Sequence, residues 1–374
     1  MRNYPVVITL TLVVVLLALP VSAASYGPAD VAQAGHAQNE AALAWLRAAQ
    51  EPDGGFSTGF GEGSDFGTTA EVILAATAAG VDVSTWETGA GHSPLDYVVT
   101  QVASGQVTDV GNLSKAVLVA MATGQDPRSF GGTDRIAQIT AMRDPETGMF
   151  GDTLFKHAYA VLALASAGAP IPESAVTVMT SQFTDDGAWS LFGDIAPGTA
   201  DTNTTAVVME ALVAAGRPDA AAAALPYLRR MQNDDGGFPY QKPSPWGTET
   251  DANSTALVIQ ALDALEEPLG TWASSGTDPV GALLALWDDE SGAYFWQAST
   301  PSPNMLATAQ AVQATEGMTL VRVPTVGASQ PPESTAGADL TPLLPASGVR
   351  LGVSQVVMIS VIGLVGISAV LRRK

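Results

Sequence analysis

Hydrophobic and polar positions along this chain follow two alternating helical patterns. Residues 41–50 place Trp45 and Leu46 on one side and charged or polar residues on the other, which is typical of an amphipathic helix lying on a core. Residues 204–216 and 255–265 are instead small and apolar on nearly every side. A helix of that kind is buried over most of its surface. The sequence therefore predicts amphipathic outer helices and apolar inner helices.

The two patterns belong to one repeated unit. A phrase with fixed spacing occurs as Trp45, Leu46, Gln50, Gly54 and Phe56, and again as Tyr227, Leu228, Gln232, Gly236 and Phe238. Both copies lead into an apolar segment that opens with Thr-Ala, and fainter copies fill the rest of the chain. The predicted inner-helix starts fall at residues 69, 115, 157, 205, 255 and 308. Six helix pairs result, so the fold has to be interpreted as an array.

Six such pairs can bury their inner helices only against one another. A small rotation between neighbours closes the array into a barrel of two concentric helical rings. Closure removes the apolar ends that an open solenoid must cap, and no capping repeat is apparent in the sequence. We therefore predict an all-α fold, an α/α toroid of about six helix hairpins over residues 36–322.

The repeated phrase resembles the QW motif of squalene and hopene cyclases. The array over residues 41–317 is similar to the prenyltransferase and squalene cyclase repeat superfamily of α/α toroids. This resemblance implies the toroid fold. The superfamily includes terpene cyclases, protein prenyltransferase β subunits, cobalamin carriers of the intrinsic factor type and thioester domains of complement, so the fold leaves the function open.

Several chemistries of that superfamily lack their residues in this chain. Class II cyclases protonate an alkene with the middle aspartate of a DxDD motif, and the matching positions here hold Asn203 and Asn253, whose amides are not acids. The resemblance implies zinc bound through an aspartate, a cysteine and a histidine in prenyltransferases, and a cysteine in thioester domains. This chain has no cysteine. We expect no catalytic residue of these kinds, no metal and no cofactor.

Candidate ligand contacts lie at helix starts and in loops. Aspartates precede three inner helices, where Asn203, Asn253, Thr68 and Ser254 are natural N-cap residues. The six helix starts converge on one mouth of the barrel, so polar groups there can also line a ligand site. Aromatic residues follow the glycine turns near the same end. The candidates are Trp246, Tyr240, Trp296, Tyr294, His157, Asp201, Asp251, Asp65 and Glu249.

Two of these features have a second, structural interpretation. His157 stands where other repeats have threonine, so it either faces the lumen or is a hydrogen-bonded core residue. Aspartates such as Asp53 and Asp235 flank glycines. They lack the alternating spacing of a calcium loop, and Asp-Gly pairs are common turn formers. We expect turns at these aspartates.

Both ends of the chain predict export and surface anchoring. Residues 1–23 read as a secretory signal peptide. Residues 351–371 carry no charge and precede a basic tail, as a transmembrane helix with a cytoplasmic end does. Residues 323–343 read as an extended spacer. The intervening motif, which resembles the sortase signal LPxTG, is Leu344, Pro345, Ala346, Ser347 and Gly348.

This order of segments, 344–374 forming the anchor region, predicts a protein at the cell surface with its toroid outside. Sortase is the expected partner if the motif is cleaved, and a plain membrane anchor is the alternative. The chain has 37 acidic and 16 basic residues, a formal net charge of −21. So acidic a surface repels nucleic acid, which excludes that class of partner.

Three functions are compatible with these features. The first is a binding protein for a small apolar or amphipathic ligand, comparable to a cobalamin carrier and without catalysis. The second is an enzyme, either terpenoid-cyclase-like or carbohydrate-active. The third is an adhesive or structural cell-wall protein in which the barrel is only a scaffold. The missing acid motif favours the binding protein.

Overall fold

The computed structural model describes residues 28–326 except residues 60 and 246. Its α-helices are α1 (Pro28–Ala48), α2 (Phe66–Ala78), α3 (Pro94–Ala103), α4 (Val110–Ala122), α5 (Arg135–Ala141), α6 (Leu154–Ser166), α7 (Glu173–Ser181), α8 (Thr202–Ala214), α9 (Pro218–Ala222), α10 (Leu225–Met231), α11 (Ala252–Ala264), α12 (Pro279–Leu284) and α13 (Met305–Thr315). Short 3-10 turns lie at Val83–Thr85, Phe130–Gly132 and Leu269–Trp272. The predicted signal peptide, sorting motif and transmembrane segment lie outside the described residues.

The apolar helices form a closed inner ring. Within the described part of the chain, α2, α4, α6, α8, α11 and α13 contact one another in that order, and α13 packs against α2. In α2, twelve of the thirteen residues are buried. Closure follows because helices that are apolar on all sides leave water only when each has neighbours on both flanks. The α/α toroid is confirmed.

The amphipathic helices cover this ring. The helices α3, α5, α7, α9 and α12 pack against α2, α4, α6, α8 and α11 respectively. Helix α1 contacts α13, so the first outer helix covers the last inner one. The beginning and end of the array are thereby joined through both rings.

One element departs from the all-α prediction. A three-stranded antiparallel sheet, β1 (Trp287–Asp288), β2 (Ala293–Gln297) and β3 (Thr300–Pro303), lies between α12 and α13. It lengthens the last turn into a hairpin. The helical repeat masks this hairpin in the sequence pattern.

The repeated phrase is explained by hydrogen bonds at each turn. Gln50 donates from Nε2 to the carbonyls of Gly54 and Trp86, at 3.0 Å each, and Gln232 does the same to Gly236 and Trp272. A glutamine in this position therefore ties its own turn to the following one.

Glycine is required at these turns for a second reason. Gly54 has φ +92°, and a Cβ there would lie 2.4 Å from the carbonyl oxygen of Ser93. Gly236 has φ +90°, and its Cβ would lie 2.3 Å from the oxygen of Thr277. Only glycine allows both the backbone angle and the close approach.

The predicted turns at aspartate are present. Asp53 accepts a hydrogen bond from the Gly55 N–H at 3.0 Å, and Asp235 accepts one from the Gly237 N–H at 3.0 Å. Their carboxylates bond the backbone two residues ahead, as turn-forming aspartates do.

The opposite end of the barrel is covered by the C-terminal segment. After α13, Met318, Thr319 and Leu320 are buried, and the chain continues over the ends of the inner helices. The Val326 N–H donates to the carbonyl of Ala122 at the end of α4, at 3.0 Å. Among the described helices, none combines the length and the apolar character needed to span a bilayer.

Candidate functional site

A polar side chain caps the start of each inner helix. Each cap accepts a hydrogen bond from the backbone N–H three residues further along, over 2.7–3.2 Å. The caps are Asp65, Asp109, Thr153, Asp201, Asp251 and Asn304. The aspartates thus satisfy free N–H groups as predicted. The residues expected to be the caps themselves, Thr68, Asn203, Asn253 and Ser254, lie within the first turn instead.

The cap positions also correct one repeat. Four residues after its cap, an inner helix carries the side chain that faces the turn, and in α4 this residue is Leu113. The predicted start at Lys115 is therefore two residues late. Because of that shift, Lys115 points away from the turn and towards the barrel axis.

The threonine of each Thr-Ala pair locks its turn to the inner helix. The backbone N–H of Phe238 donates to Oγ1 of Thr255 at 3.0 Å, while the N–H of the cap Asp251 donates to the carbonyl of Phe238 at 3.0 Å. The same pairs recur at Phe56, Trp189 and Tyr294. These aromatic residues are therefore packing residues.

His157 performs this threonine role in α6 and does not face the lumen. Its Nδ1 accepts from the Phe150 N–H at 2.9 Å, and its Nε2 lies 2.9 Å from the carbonyl oxygen of Ala175. These partners define the neutral tautomer with the proton on Nε2. Burial lowers the pKa of His157 to about 4. Both ring nitrogens are thus used in the core, which removes His157 from the ligand candidates.

Several other candidates are dispersed. Tyr294 is fully buried and packs edge-on against Trp287, with ring centroids 5.1 Å apart. Asp65 is exposed at the start of α2. Glu249 accepts a hydrogen bond from the N–H of Ser299 at 2.9 Å, which ties its loop to the sheet that carries half-buried Trp296. Trp246 lies outside the described residues.

The structure does bring Tyr240, Asp201 and Asp251 together. The Tyr240 carbonyl accepts from the N–H of Thr202 at 2.8 Å, and its backbone N–H hydrogen-bonds the carboxyl of Asp251. Its phenol lies beside the Asp201 carboxyl. Burial raises the pKa of each aspartate to about 7, against the lowering effect of the backbone N–H groups that bond them. The two carboxyls are therefore poised to titrate near neutrality.

A further set of residues, several of them polar and absent from the candidates above, faces the barrel axis. Positions two, six and nine after each cap lie on the helix face opposite the threonine that contacts the turn. We call the positions two after the caps the mouth, and those six after the caps the floor. The mouth consists of Gly67, Gly111, Phe155, Asn203, Asn253 and Leu306. The floor consists of Glu71, Lys115, Tyr159, Val207, Leu257 and Gln310.

Polar contacts run around these two layers. Lys115 Nζ lies 2.8 Å from Glu71 Oε1 and 5.5 Å from the ring centroid of Tyr159. Asn253 Nδ2 donates to Gln310 Oε1 at 2.8 Å. Lys115 keeps 15% of its side chain exposed, while the other floor side chains are buried. Half-buried side chains at the mouth therefore lie over a largely buried floor that includes four polar residues.

Further along the axis the barrel contains more polar side chains. Gln313 donates from Nε2 to Glu71 Oε2 at 2.9 Å. Glu210 Oε2 accepts from the N–H of Leu320 at 2.7 Å, and burial raises the pKa of Glu210 to about 8. The sequence feature shared by Glu210, Gln260 and Gln313 is that each lies nine residues after the cap of its helix. Among the described residues, no group of three or more histidine or acidic side chains is arranged for a metal ion.

Comparisons with solved structures agree with the toroid fold. No family model and no curated protein matches the sequence. Solved α/α toroids do match in structure. The type II terpene cyclase from Scytonema aligns at 14% identity over 76% of this chain and 98% of its own, with TM-score 0.56. A variant of that cyclase, in complex with geranylgeranyl dihydroxybenzoate, gives TM-score 0.55 over 77% and 98% at 14% identity.

A second kind of enzyme has the same architecture. An unsaturated glucuronyl hydrolase specific for heparin aligns at 13% identity over 77% of this chain and 96% of its own, with TM-score 0.52. At such identities the likeness establishes a shared fold. The chain is therefore an α/α toroid of the kind found in terpene cyclases and glycan-degrading hydrolases.

Proposed function

We propose that this protein is a carbohydrate-active toroid that takes a neutral glycoside at the mouth of its barrel. The observation that carries the proposal is the side-chain chemistry of the opening. Asn203 and Asn253 are half-buried on two successive inner helices, and Asn253 donates to buried Gln310 on the next one. A side-chain amide combines a donor with an acceptor. Sugar hydroxyls require that combination.

Charge favours a neutral ligand. Lys115, the cation at the floor, is neutralised by Glu71 at 2.8 Å. The chain as a whole has a formal net charge of −21, which repels anionic polysaccharides. Half-buried Phe155 and Tyr240 supply aromatic faces beside the polar groups, as small-molecule sites commonly do.

A hydrocarbon substrate fits the opening less well. A carbocation needs several aromatic faces around it, and the floor offers the ring of Tyr159 with Lys115 already above it. Asn203 occupies the position of the cyclase acid. Buried Glu71 and Glu210 would also lie against the chain of a polyene.

A second candidate is a non-catalytic binding protein for an amphipathic ligand. The specific observation in its favour is the loop before α8, where Phe192 and Ile195 are 71% and 55% exposed. Exposed large apolar side chains beside a polar opening suit a ligand with one apolar end.

Export and surface anchoring belong to the same proposal. The signal peptide, the spacer and the motif that resembles a sorting signal support a toroid displayed outside the cell. Either sortase cleaves the chain after Ser347 and attaches it to the wall, or residues 351–371 hold it in the membrane. Residues 318–326 cross the end of the barrel opposite the mouth. A tether continuing from there would present the mouth away from the cell.

A thermal-shift screen of the exported chain tests the ligand class. The probes are cellobiose, maltose and xylobiose, an anionic chondroitin disaccharide, geranylgeraniol and cobalamin. A neutral disaccharide at a hundred times its Kd adds about 2.7 kcal/mol, which should raise the Tm by several degrees. Asn203→Ala and Asn253→Ala should remove the shift, whereas Gln125→Ala, at the opposite end of the barrel, should keep it.

Other outcomes of the screen are equally decisive. A shift with geranylgeraniol or cobalamin alone would replace the carbohydrate proposal with the amphipathic binder. No shift with any probe would leave the barrel as a scaffold.

A further inference from the structure

Two successive repeats place the same carboxyl in different surroundings. Asp251 is saturated, because Oδ1 accepts from the Ser254 N–H at 2.7 Å and Oδ2 from the Ser254 hydroxyl at 2.8 Å. Asp201 has the same bond from the Thr204 N–H to Oδ1, at 2.7 Å. Its Oδ2 makes no hydrogen bond of ordinary geometry, although the residue is only 2% exposed. The Thr204 side chain and the Leu191 N–H also stabilise this carboxylate, as their counterparts do for Asp251, so the two caps differ in the hydrogen bond at Oδ2.

Tyr240 carries a phenol that approaches the Asp201 carboxyl. Its phenol lies beside Asp201, and the residue is half-buried, so one side of the ring faces Asp201 and the rest remains accessible. The neighbouring phenol, Tyr227, donates instead to the carbonyl of Ala200 at 3.0 Å. Tyr240 thus connects the buried carboxyl to solvent at the mouth end.

The loop that carries Tyr240 is held in place. Gln241 donates from Nε2 to the carbonyls of Gly198 and Ala200, at 2.9 Å each. The Thr202 N–H donates to the Tyr240 carbonyl at 2.8 Å. Fixed groups of this kind can act repeatedly on a ligand without reorganisation.

We propose that Tyr240 and Asp201 form the proton-exchanging pair of the mouth, with Tyr240 contacting the ligand and Asp201 acting through it. This inference rests on the proposed function. In hydrolysis, the Tyr240 hydroxyl proton passes to the glycosidic oxygen while the Asp201 proton passes to the Tyr240 oxygen. The bond between the sugar carbon and the glycosidic oxygen then breaks. Water adds its hydroxide to that carbon, and the remaining proton of the water returns through Tyr240 to Asp201.

The protonation states suit this exchange. Burial raises the pKa of Asp201 to about 7, so it can give and take a proton near neutral pH. Burial, with nearby Asp201, raises the pKa of Tyr240 far above its ordinary value, which keeps the phenol neutral. Tyr227 on α10 also faces Asp201, and its pKa is raised by burial and by nearby Asp201 and Asp186, while Arg230 lowers it.

The first experiment compares leaving groups. Cellobiose has a poor leaving group that needs protonation, whereas p-nitrophenyl β-glucoside has a good one that does not. Tyr240→Phe and Asp201→Asn should lower kcat/KM for cellobiose about 10²–10⁴-fold and for the p-nitrophenyl substrate far less. Asp109→Asn is the matched control, since an amide at the cap of α4 still accepts from the Asn112 N–H. An equal loss on both substrates, or the same loss in Asp109→Asn, would overturn the assignment.

A second measurement does not depend on turnover. Carboxyl ¹³C NMR of the exported chain labelled at aspartate follows Asp201 and Asp251 through a pH titration. Tyr240→Phe should move the Asp201 midpoint by about one pH unit and leave Asp251 in place. An unmoved Asp201 midpoint would refute the pair even if sugars bind. A moved midpoint in a chain that hydrolyses neither probe would retain the pair and refute the proposed activity.

Discussion

At the residue scale, one hydrogen-bonding task is performed by different side chains. Thr69, Thr205, Thr255 and Thr308 each accept from the backbone N–H of an aromatic turn residue, and His157 accepts in α6 through Nδ1. A protonated imidazole would direct an N–H at the Phe150 N–H and lose this bond. The environment therefore holds the ring neutral.

The pH dependence of stability should report this residue. The pKa of His157 is about 4 in the folded protein, against 6.5 for the unfolded group, so the unfolded state binds the extra proton between these values. Stability should fall by roughly 3 kcal/mol as the pH drops from 6.5 to 4. Urea unfolding at pH 7, 5.5 and 4 measures it. His157→Gln should lack this acid loss, and a parallel slope in the variant would contradict the interpretation.

At the element scale, each turn is joined to its inner helix by the lock between an aromatic residue, a cap and a threonine. The sequence predicted where these pieces recur. Only glycine fits the backbone angle and the close contact at Gly54 and Gly236, so glycine stands at the same distance from its neighbours in both copies. It misplaced the start of α4, since Leu113 stands in the threonine position and a Lys-Ala pair two residues later resembles the repeat. The register of α4 relative to the other inner helices is defined by its cap at Asp109, which only the structure shows.

Removing one lock should cost a predictable amount. Thr255→Val keeps the volume but leaves the buried Phe238 N–H without its acceptor at 3.0 Å. We expect a loss of about 1–3 kcal/mol in the free energy of unfolding, measured by urea denaturation. Thr177→Val on the exposed side of α7 is the control, with a change expected to stay within about 0.5 kcal/mol. Equal effects in both variants would mean that the lock contributes nothing specific.

At the scale of the whole molecule, the C-terminal segment closes one end of the barrel through a buried acid. Glu210 accepts the Leu320 N–H at 2.7 Å, and Arg322 donates to the carbonyl of Asp263 at 3.2 Å. Burial raises the pKa of Glu210 to about 8, and the nearby Asp263 adds to that effect. Segment docking and the ionisation of Glu210 are therefore coupled.

This coupling predicts the opposite pH sign to His157. The folded pKa of Glu210 lies above the unfolded value of 4.5, so the folded state holds the extra proton between pH 4.5 and about 8. Stability should decrease by several kcal/mol as pH rises through that window. Glu210→Gln keeps an acceptor for Leu320 and should flatten this decrease in thermal unfolding measured from pH 5 to 9. Exposed Glu173→Gln should follow the parent, and a steep decrease retained in Glu210→Gln would exclude Glu210 as its source.

The sequence by itself determined the toroid, because helices that are apolar on all sides and repeat at a regular period can leave water only by packing against one another. It also determined the turns, since glycine geometry and aspartate caps are local. The tertiary structure alone decided which candidates share a site. It placed the Tyr240 phenol beside Asp201 across two repeats, placed His157 and Tyr294 in the core, and paired Asn253 with Gln310 on the next inner helix. The reason is physical: capping and turns depend on neighbours in the chain, whereas a site depends on which side chains ring closure brings face to face.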